Sequence, residues 1–525
     1  MLLFTTWDQR NDSYRVETSN SPSSFLQDPA SVSRDNNVFL NSFTSQSRSV
    51  GAVANFQYSF RDKYIVNGAL RRDGSSKFGS NNRWGTFPSI SGRWRISGEN
   101  FMQNQTFVDE LSLRASYGQS GNTPRADYLH FSTYANLPWN YMGEAGIIPQ
   151  SLELTNFKWE TVTQVNFGLN LEVLQSRINV ALDVYRNRTT DLFLDNLRIP
   201  SSTGFNSINM NIGSMDNQGY ELSVFTTLHR SKNLTVNFDM NIARNDNIVR
   251  SISELYQTDN LEQMQFNGNY YINIQTGQPL GSFYGYKYQG VYKDGEATIA
   301  RDANGNAIIG PNGDPIQMAF NYPNTNYQFQ PGDAMYEDIN NDGNIDYKDL
   351  VWLGDANPKL FGGFGPRVRY KNLQVSGYFN FRYGVSIVNR TKMDTENMYN
   401  YENQNAATLN RWRFPGDETD MPRALIRTGY NWLGSDRYVE DGSFLRFRTL
   451  TVRYAMPKTF LDRTKLGELS FYITAENLFT WTNYTGQDPE VGMTSNNANR
   501  LFQIGYDVAR TPPVKTFTLG INTRF

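Results

Sequence analysis

Cysteine is absent from this chain of 525 residues, and histidine occurs only twice. Without cysteine there are no disulfides, no thiol nucleophiles and no cysteine-ligated metal sites. The two imidazoles, His130 and His229, lie far apart in the sequence. A histidine-based hydrolase or a zinc site needs neighbouring partners that this chain scarcely has. The sequence therefore gives no basis for these kinds of enzyme.

Long apolar runs and an excess of charge of either sign are also missing. No run of about 18 apolar residues occurs, which excludes a transmembrane helix. The net charge of −2 and the isoelectric point near 5.9 give no case for a nucleic-acid partner. The first residues, MLLFTTWDQR, lack the basic region and the apolar core of a secretory signal. For an exported protein, we therefore expect that residue 1 is not the natural beginning.

Alternation of apolar and polar residues is what the chain has in abundance. In the last segment, Phe517, Leu519 and Ile521 fall on one side of an extended strand, whereas Thr518 and Asn522 fall on the other. The mean hydropathy of −0.58 is hydrophilic. The strands of a transmembrane barrel, however, carry their apolar residues only at alternate positions. A hydrophilic average is therefore compatible with a barrel that spans a membrane.

The same alternation recurs along most of the chain in segments of roughly ten residues. We count about fourteen strands, including weaker candidates near 283–292 and 362–370. Some are joined by very short turns, such as Arg61 with Asp62, and others by long polar segments. The clearest alternating segments are 52–60, 64–71, 88–96, 111–117, 165–171, 178–184, 220–228, 234–242, 373–381, 450–454, 469–475 and 517–525.

Short turns on one side and long loops on the other are typical of an outer-membrane barrel. The sequence therefore predicts an all-β fold, a transmembrane antiparallel β-barrel with long extracellular loops, and a soluble all-β protein is the alternative. We expect residues 1–49 to form a partial strand and a polar loop, and residues 50–525 to form the barrel region. The longest irregular insert spans about 292–357.

One motif in this insert has the spacing of a calcium-binding loop. Residues 338–349, DINNDGNIDYKD, match D-x-[DN]-x-[DN]-G over the first six positions, and an acidic residue follows at the twelfth. Calcium prefers hard oxygen ligands, and the glycine makes the sharp turn of such loops. No amphipathic helices of sensor length flank the loop, so bound Ca²⁺ would be structural. The candidate ligands are Asp338, Asn340, Asp342, Asn344, Asp346 and Asp349.

The calcium interpretation has an alternative. Asp349 stands where loops of the EF-hand type have glutamate, and its shorter side chain makes bidentate capture harder. The stretch could also be a surface loop that is rich in Asn and Asp and simply favours turns. Elsewhere the candidate chemistry is weak, and we expect no catalytic residues and no enzyme.

Several stretches resemble the SusC/RagA-like TonB-linked outer-membrane transporters. The resemblance covers nearly the whole chain from about Val50 onward, and several motifs carry it together. The motifs are LRRDGSSKFG at 70–79, NRWGTFPS at 82–89, LRASYGQSGN at 113–122, KWET at 158–161, NIGSM at 211–215, SFYGY at 282–286, PGDAMYED at 331–338 and AENLFTW at 475–481.

The resemblance implies the C-terminal portion, about fourteen strands, of a barrel of 22 strands. It further implies a Gram-negative outer-membrane location, a SusD-like surface lipoprotein as a cap, and energy from TonB–ExbB–ExbD. Such transporters import oligosaccharides or peptides. The family's plug domain, TonB box and early barrel strands precede the matched residues, so we expect no plug in this chain. The alternatives are a secreted soluble glycan-binding protein or hydrolase braced by calcium, or a non-functional remnant of a transporter.

Overall fold

The structure is a computed structural model. It describes residues 1–18, 23, 25, 28, 38–199, 201–205, 207–253, 268–270, 274–321, 325–464, 466–491, 505–509 and 511–525. Within these residues, fourteen strands hydrogen-bond in chain order into one antiparallel sheet, whose outermost strands are the first and the last. They are β1 (Leu2–Thr18), β2 (Val38–Phe60), β3 (Tyr64–Ser75), β4 (Trp84–Arg95), β5 (Val108–Asn122), β6 (Glu160–Val173), β7 (Ile178–Arg198), β8 (Ser207–Arg230), β9 (Leu234–Ile252), β10 (Leu360–Tyr370), β11 (Leu373–Tyr383), β12 (Phe444–Ala455), β13 (Glu468–Thr482) and β14 (Thr516–Arg524).

The chain divides into two compact units. The first contains residues 1–94, 114–166 and 187–214, and the second contains 95–113, 167–186 and 215–525. In the first unit, rows of paired residues across β2, β3 and β4 alternate between apolar and polar. One apolar row is Phe56, Gly68 and Ile90, and the polar row beside it is Gln57, Asn67 and Ser91.

The second unit shows the same alternation of apolar and polar rows across six strands. From β9 to β14, each strand pairs with the next so that apolar residues meet apolar residues. One such row is Val236, Val368, Val375, Val452, Ile473 and Leu519. The adjacent row is Asn237, Arg367, Ser376, Thr451, Thr474 and Thr518. Because neighbouring residues in a strand point to opposite faces, the sheet has one apolar face and one polar face.

The apolar face is exposed rather than packed. Phe56 is 61% exposed, Leu519 is 80% exposed, and Ile90 and Phe167 are also among the exposed large side chains. In a water-soluble sandwich this face would be covered by a second sheet. Its exposure here is what a sheet needs if its apolar side contacts lipid.

An aromatic row reinforces the apolar face across three strands. The rings of Phe364 and Phe379 lie 5.1 Å apart, and those of Phe379 and Phe447 lie 4.4 Å apart, both in stacked geometry. Cross-strand aromatic pairs stabilise a sheet beyond the area that they bury. The row therefore fixes the register of β10, β11 and β12.

The N-terminal region differs from the prediction of a partial strand followed by a loop up to residue 49. β1 is a full strand, and β2 begins at Val38; the two are paired from Leu2 with Ala54 to Thr18 with Val38. The apolar alternation is missing because most side chains in residues 2–18 and 38–50 are polar; Asp8, for example, accepts a hydrogen bond from Arg48 at 2.9 Å. Backbone pairing and such cross-strand polar contacts extend these strands.

Short strands outside the main sheet correct a second prediction. Residues 283–292 were expected to form a barrel strand, but they form two strands of the insert, Ser282–Gly285 and Tyr288–Val291. Consecutive residues such as Phe283 and Tyr284 are buried, so protein covers both faces of this strand. The pairs are Ser282–Gly285 with Val351–Asp355, Tyr288–Val291 with Ala334–Tyr336, Ala319–Asn321 with Asn326–Gln328 and Tyr134–Tyr141 with Glu144–Pro149, and Ser386–Asn389 lies between Val439–Asp441 and Tyr506–Asp507.

Helices are few and short. Two α-helices are described, α1 (Arg390–Glu396) and α2 (Lys458–Thr464), and the side chain of Asn389 caps α1 by accepting a hydrogen bond from Lys392 N–H. In the described part of the chain, no helix is long and apolar enough to cross a membrane. The 3-10 helices are Ser80–Asn82, Ile96–Gly98, Asn100–Met102, Ser201–Thr203, Tyr347–Asp349, Ala406–Asn410 and Asp436–Tyr438.

Candidate functional site

The polar face of the sheet carries a recess between β8 and β12. Its cavity is about 490 Å³, which lies within the usual range for small-molecule sites. The ion pair between Asp239 and Arg367, 3.4 Å apart, lines one part of it. Gly363 lies beneath the Tyr378 hydroxyl, and a Cβ on this glycine would come within 2.3 Å of that oxygen. The glycine therefore permits the tyrosine to lie close against the strand.

The long insert between β9 and β10 forms a compact layer with its own core. Side chains from residues 286–345 pack together with Leu433, which comes from the connection between β11 and β12. The core is rich in tyrosine, and the Tyr336 hydroxyl accepts a hydrogen bond from Leu433 N–H and donates one to the carbonyl of Tyr430. The core consists of Tyr286, Tyr292, Ala300, Met318, Phe320, Phe329, Ala334, Tyr336, Ile345 and Leu433.

A buried ion pair ties the two connections together. Asp333 is fully buried, and its carboxylate accepts hydrogen bonds from Arg423 at 2.7 Å and from the Tyr327 hydroxyl at 2.6 Å. Breaking such a pair by removing one partner is strongly destabilising, because it leaves an uncompensated buried charge. The insert and the residues around Arg423 are therefore held as one layer.

The acidic loop predicted from the motif lies in this insert. Asp338 accepts hydrogen bonds from Gly343 N–H at 2.7 Å and from Asp342 N–H at 3.3 Å. Asp349 accepts from Ile339 N–H at 2.9 Å and from Asp346 N–H at 2.8 Å. The first and last acidic residues of the motif thus fold the loop on itself.

The backbone of this loop uses conformations that the motif demands. Gly343 has a φ of +82°, a left-handed conformation that favours glycine, and a Cβ there would lie 2.9 Å from that of Ala300. Ile345 is fully buried, and its N–H donates to the Ala319 carbonyl at 2.8 Å. The loop is therefore anchored in the core of the insert.

The electrostatics of the loop are dominated by carboxylates. Burial raises the pKa of Asp349 to about 6. The charges of Asp338 and Asp346 also raise it, whereas two hydrogen bonds from backbone N–H groups lower it. Burial also raises the pKa of Asp338. Lys348 is the nearby cation, with its Nζ 3.6 Å from Asp342 and 3.9 Å from Asp346. This crowding of like charges favours binding of a cation.

The structure places all six predicted ligands in this one loop, but it does not make them converge. Among the described residues, no three acidic or imidazole side chains are arranged as metal ligands. Side chains of the loop instead bond to each other and to backbone N–H groups; Asn340, for example, donates to Asp342 at 2.8 Å. The backbone and the oxygen donors fit a calcium loop, whereas the side-chain geometry is that of a self-bonded turn.

Comparison with known proteins identifies the family. Residues 3–309 match the family described as TonB dependent receptor-like, beta-barrel. The chain belongs to this family. TonB-dependent receptor P3 of Formosa agariphila is 30% identical over 92% of this chain and 46% of the relative. TonB-dependent receptor SusC of Bacteroides thetaiotaomicron is 26% identical over 92% of this chain and 44% of the relative. The chain thus spans about half the length of the curated relatives that it matches.

Solved structures show the same fold. The RagAB peptide transporter has a TM-score of 0.78 and 22% identity over 100% of this chain and 53% of the solved chain. The prediction of a TonB-dependent receptor barrel portion in the outer membrane is confirmed, rather than the soluble alternative. The family is not enzymatic, as expected. In such a barrel the apolar face contacts lipid and the polar face lines the lumen.

The family assignment gives meaning to charged residues that sequence reasoning missed. Arg446 of β12 lies on the lumenal face of this TonB-dependent receptor barrel, opposite Asn380 and Thr480 in the neighbouring strands. It is 1% exposed and binds two acidic side chains beyond the end of β13, Asp488 and Glu490. In the sequence, the sign of this ion pair is two acidic residues, Asp488 and Glu490, after an alternating segment. Such acids are too common in loops to predict which arginine they bind.

A second missed cluster spans three strands. Asp216 of β8 is fully buried, and its Oδ2 accepts from Arg186 at 2.6 Å and from Arg250 at 2.8 Å. In sequence these residues are separated by about thirty positions each, and only the register of the sheet brings them together.

Proposed function

We propose that this chain is the barrel portion of a SusC/RagA-type nutrient importer of the outer membrane. The observation that carries the proposal is the two-faced sheet: an exposed apolar face for lipid and a polar face that provides a passage. Membership in the TonB-dependent receptor-like family supports it. In this proposal, import is energised by TonB–ExbB–ExbD through a plug domain that is not among these residues.

The cargo of the importer is an oligosaccharide or a peptide. The lumenal recess supports this class, since it offers Asp239, Arg367 and the Tyr378 ring to a polar ligand. The relative named RagAB is described as a peptide transporter, which supports a peptide as one of the two possibilities.

A SusD-like surface lipoprotein acts as the partner at the extracellular side. The RagAB peptide importer has been solved in a 'closed-closed' and an 'open-open' state. The insert of the present chain supports a docking role, because its buried core and the Asp333–Arg423 pair make it a defined layer rather than a set of separate loops.

Transport is tested by growth. A strain that lacks the gene is compared with the complemented strain on defined mixtures of oligosaccharides or of peptides as the growth-limiting nutrient. We expect loss of growth on one mixture and restoration by the gene, and a protonophore should abolish uptake. The proposal is wrong if deletion changes growth on neither mixture. A non-functional remnant would instead give no folded protein in the outer-membrane fraction.

The partner is tested by co-purification. An affinity tag on this protein should retain a surface lipoprotein from detergent-solubilised outer membranes. Substitution of Asp333 by Ala should weaken that retention, because it releases the Arg423 segment from the insert. Retention of no lipoprotein by the intact protein would contradict the partner assignment.

We also propose that residues 338–349 bind Ca²⁺ as a structural brace. Four carboxylates of the loop, with one lysine beside two of them, support a cation there, and amide oxygens lie next to them. The carboxylates are Asp338, Asp342, Asp346 and Asp349, the lysine is near Asp342 and Asp346, and the amides are those of Asn340 and Asn344. Bound Ca²⁺ would supply positive charge to these oxygens, and the side chains would turn from their present hydrogen bonds to meet it.

Calcium binding is tested by terbium luminescence and calorimetry on the purified protein. We expect one site that Ca²⁺ competes for, lost in the Asp338→Asn/Asp342→Asn variant and kept in the control Asp314→Asn, which alters an exposed aspartate of another turn. Equal binding by the two variants would contradict the site, and no binding by the parent protein would leave the loop as a self-bonded turn.

A further inference from the structure

The segment that follows β13 folds back against the lumenal face of the sheet. Residues 484–491 lie beyond the extracellular end of β13, at Thr482. Their side chains bond to Arg446, which points to the polar face. Pro489, between the two acids, is buried. The segment therefore covers the wall at the entrance of the passage.

Arg446 holds this segment with its two Nη groups and holds β13 with its Nε group. Its Nη2 lies 2.7 Å from both oxygens of Asp488, its Nη1 lies 2.8 Å from Glu490, and its Nε donates to Thr480 at 3.0 Å. A buried arginine is stable only when its charge and its donors are matched in this way. Because Thr480 belongs to β13 itself, the guanidinium joins the strand to the segment.

Two further arginines surround the same acids. Arg448 donates to Glu490 at 3.0 Å, and Arg382 of β11 lies 3.9 Å from it. Both are partly exposed, at 44% and 37% of their side chains. Three guanidiniums therefore face the two carboxylates of this segment, Asp488 and Glu490.

The other end of the segment is fixed to the small sheet formed by Ser386–Asn389, Val439–Asp441 and Tyr506–Asp507. The Tyr484 hydroxyl donates to Asp507 at 2.7 Å, and Thr485 N–H donates to Glu440 at 2.9 Å. Tyr506, next to Asp507, packs in a core with Phe283. The segment is thus attached at both ends, to this small sheet and to Arg446.

We propose that Arg446 is a positioning residue for the transport pathway. It holds residues 484–491 against the lumenal wall beside the entrance. In this position, the carboxylates of the segment offset the charges of three arginines on the wall. When the contact is broken, the segment detaches and the arginines attract anionic solutes to the entrance. The inference needs only the lumenal orientation of the polar face, and it goes beyond the proposed cargo and partner.

The test uses single cysteines in a chain that has none of its own. Pro489→Cys places a thiol at a buried position of the segment, and Gln487→Cys places a reference thiol at an exposed position of it. Reaction rates with a cationic and an anionic methanethiosulfonate are measured in isolated outer membranes. Neither measurement requires transport, so failure of this inference is distinguishable from failure of the proposed function.

The proposal predicts a specific pattern of rates. Arg446→Gln should accelerate labelling at Pro489→Cys at least tenfold, with an intermediate rate in Arg446→Lys. Asp488→Asn/Glu490→Gln should also accelerate it, and there the anionic reagent should react at least threefold faster than the cationic one, because three arginines are uncovered. The control Arg453→Gln, which changes a pair with Glu468 at the other end of the strand, should leave the rate unchanged.

Two results would overturn the proposal. The first is a rate at Pro489→Cys in Arg446→Gln within twofold of the parent rate, while the protein still migrates as the folded form. The second is acceleration without any charge preference in the Asp488→Asn/Glu490→Gln variant. Equal acceleration at the reference thiol of Gln487→Cys would show general unfolding and would also count against a local positioning role.

Discussion

Two adjacent residues of β14 point to opposite faces of the sheet, one to the lipid and one to the lumen. Leu519 pairs with Ile473 on the apolar face, and Thr518 pairs with Thr474 on the polar face. This alternation was readable from the sequence, because side chains of a strand change faces at every residue. The structure adds that Leu519 is exposed on its face, so its environment in the cell is lipid.

We therefore expect Leu519→Arg to block assembly and Thr518→Arg to be tolerated. A charged side chain on the lipid face costs about 2–4 kcal/mol at the middle of the bilayer, whereas a lumenal arginine remains in water. The folded fraction of each variant is measured in outer membranes by its faster migration on gels without boiling. Equal folded fractions would contradict the assignment of the faces.

Asp349 provides a pH-dependent readout at the residue scale. Its pKa in the folded chain is raised to about 6 from an ordinary value of 3.8, so the folded state holds the proton more tightly than the unfolded state. In calcium-free buffer, this group stabilises the fold most below its ordinary pKa, and the contribution is lost as pH rises through about 6. Asp349→Asn removes the titration.

We expect the insert of the parent protein to become more sensitive to protease between pH 4.5 and about 7 in calcium-free buffer. The Asp349→Asn variant should show a smaller change, since the residue no longer ionises. Limited proteolysis at several pH values measures this difference. An identical pH profile for both proteins would mean that Asp349 does not titrate in this range.

At the scale of elements, the sequence predicted the existence of strands better than it predicted where they begin and end. The alternating segments from 52 onward predicted the strands of the sheet, because the apolar band imposes period two on them. In place of β1 and the start of β2 only a partial strand and a polar loop were predicted, since their many polar side chains show no apolar period. Likewise, the candidate strand at 283–292 was assigned to the barrel, although consecutive residues such as Phe283 and Tyr284 are buried by the insert on both faces.

The aromatic row gives a prediction for an element. Phe379 stacks on both Phe364 and Phe447, and each aromatic pair contributes about 0.5–1.5 kcal/mol beyond the area that it buries. Phe379→Leu should therefore destabilise the folded barrel by about 1–3 kcal/mol. Thermal unfolding in detergent measures the loss, and Phe381→Leu on the same face and strand serves as the control. A smaller loss in Phe379→Leu than in this control would contradict the role of the row.

At the scale of the whole molecule, the exposed apolar face sets the behaviour of the protein. β1 and β14 are the outermost strands of the described sheet, and in hydrocarbon every backbone N–H and C=O has to be paired. The outer edges of these two strands therefore need strand partners in the assembled barrel. Relatives that are about twice as long as this chain are consistent with such an assembly.

We expect the protein to sediment with membranes after carbonate washing and to require detergent for extraction. Once extracted, it should migrate faster on gels before boiling than after, because a folded barrel is compact. Membrane fractionation with these two gel conditions measures both properties. A monodisperse protein in plain buffer, with the apolar residues packed against a second layer, would refute the membrane assignment.

The sequence by itself determined four features: the period of the strands, their two faces, the family and the place of the acidic loop. Each of these depends on neighbours in the chain or on a motif of fixed spacing. Only the tertiary structure decided which distant residues meet. Arg446 with Asp488, Arg186 with Asp216, and Asp333 with Arg423 are brought together by strand register and loop packing. A charge in a sequence does not identify its partner, because burial and register select that partner from many acids and bases of equal chemistry.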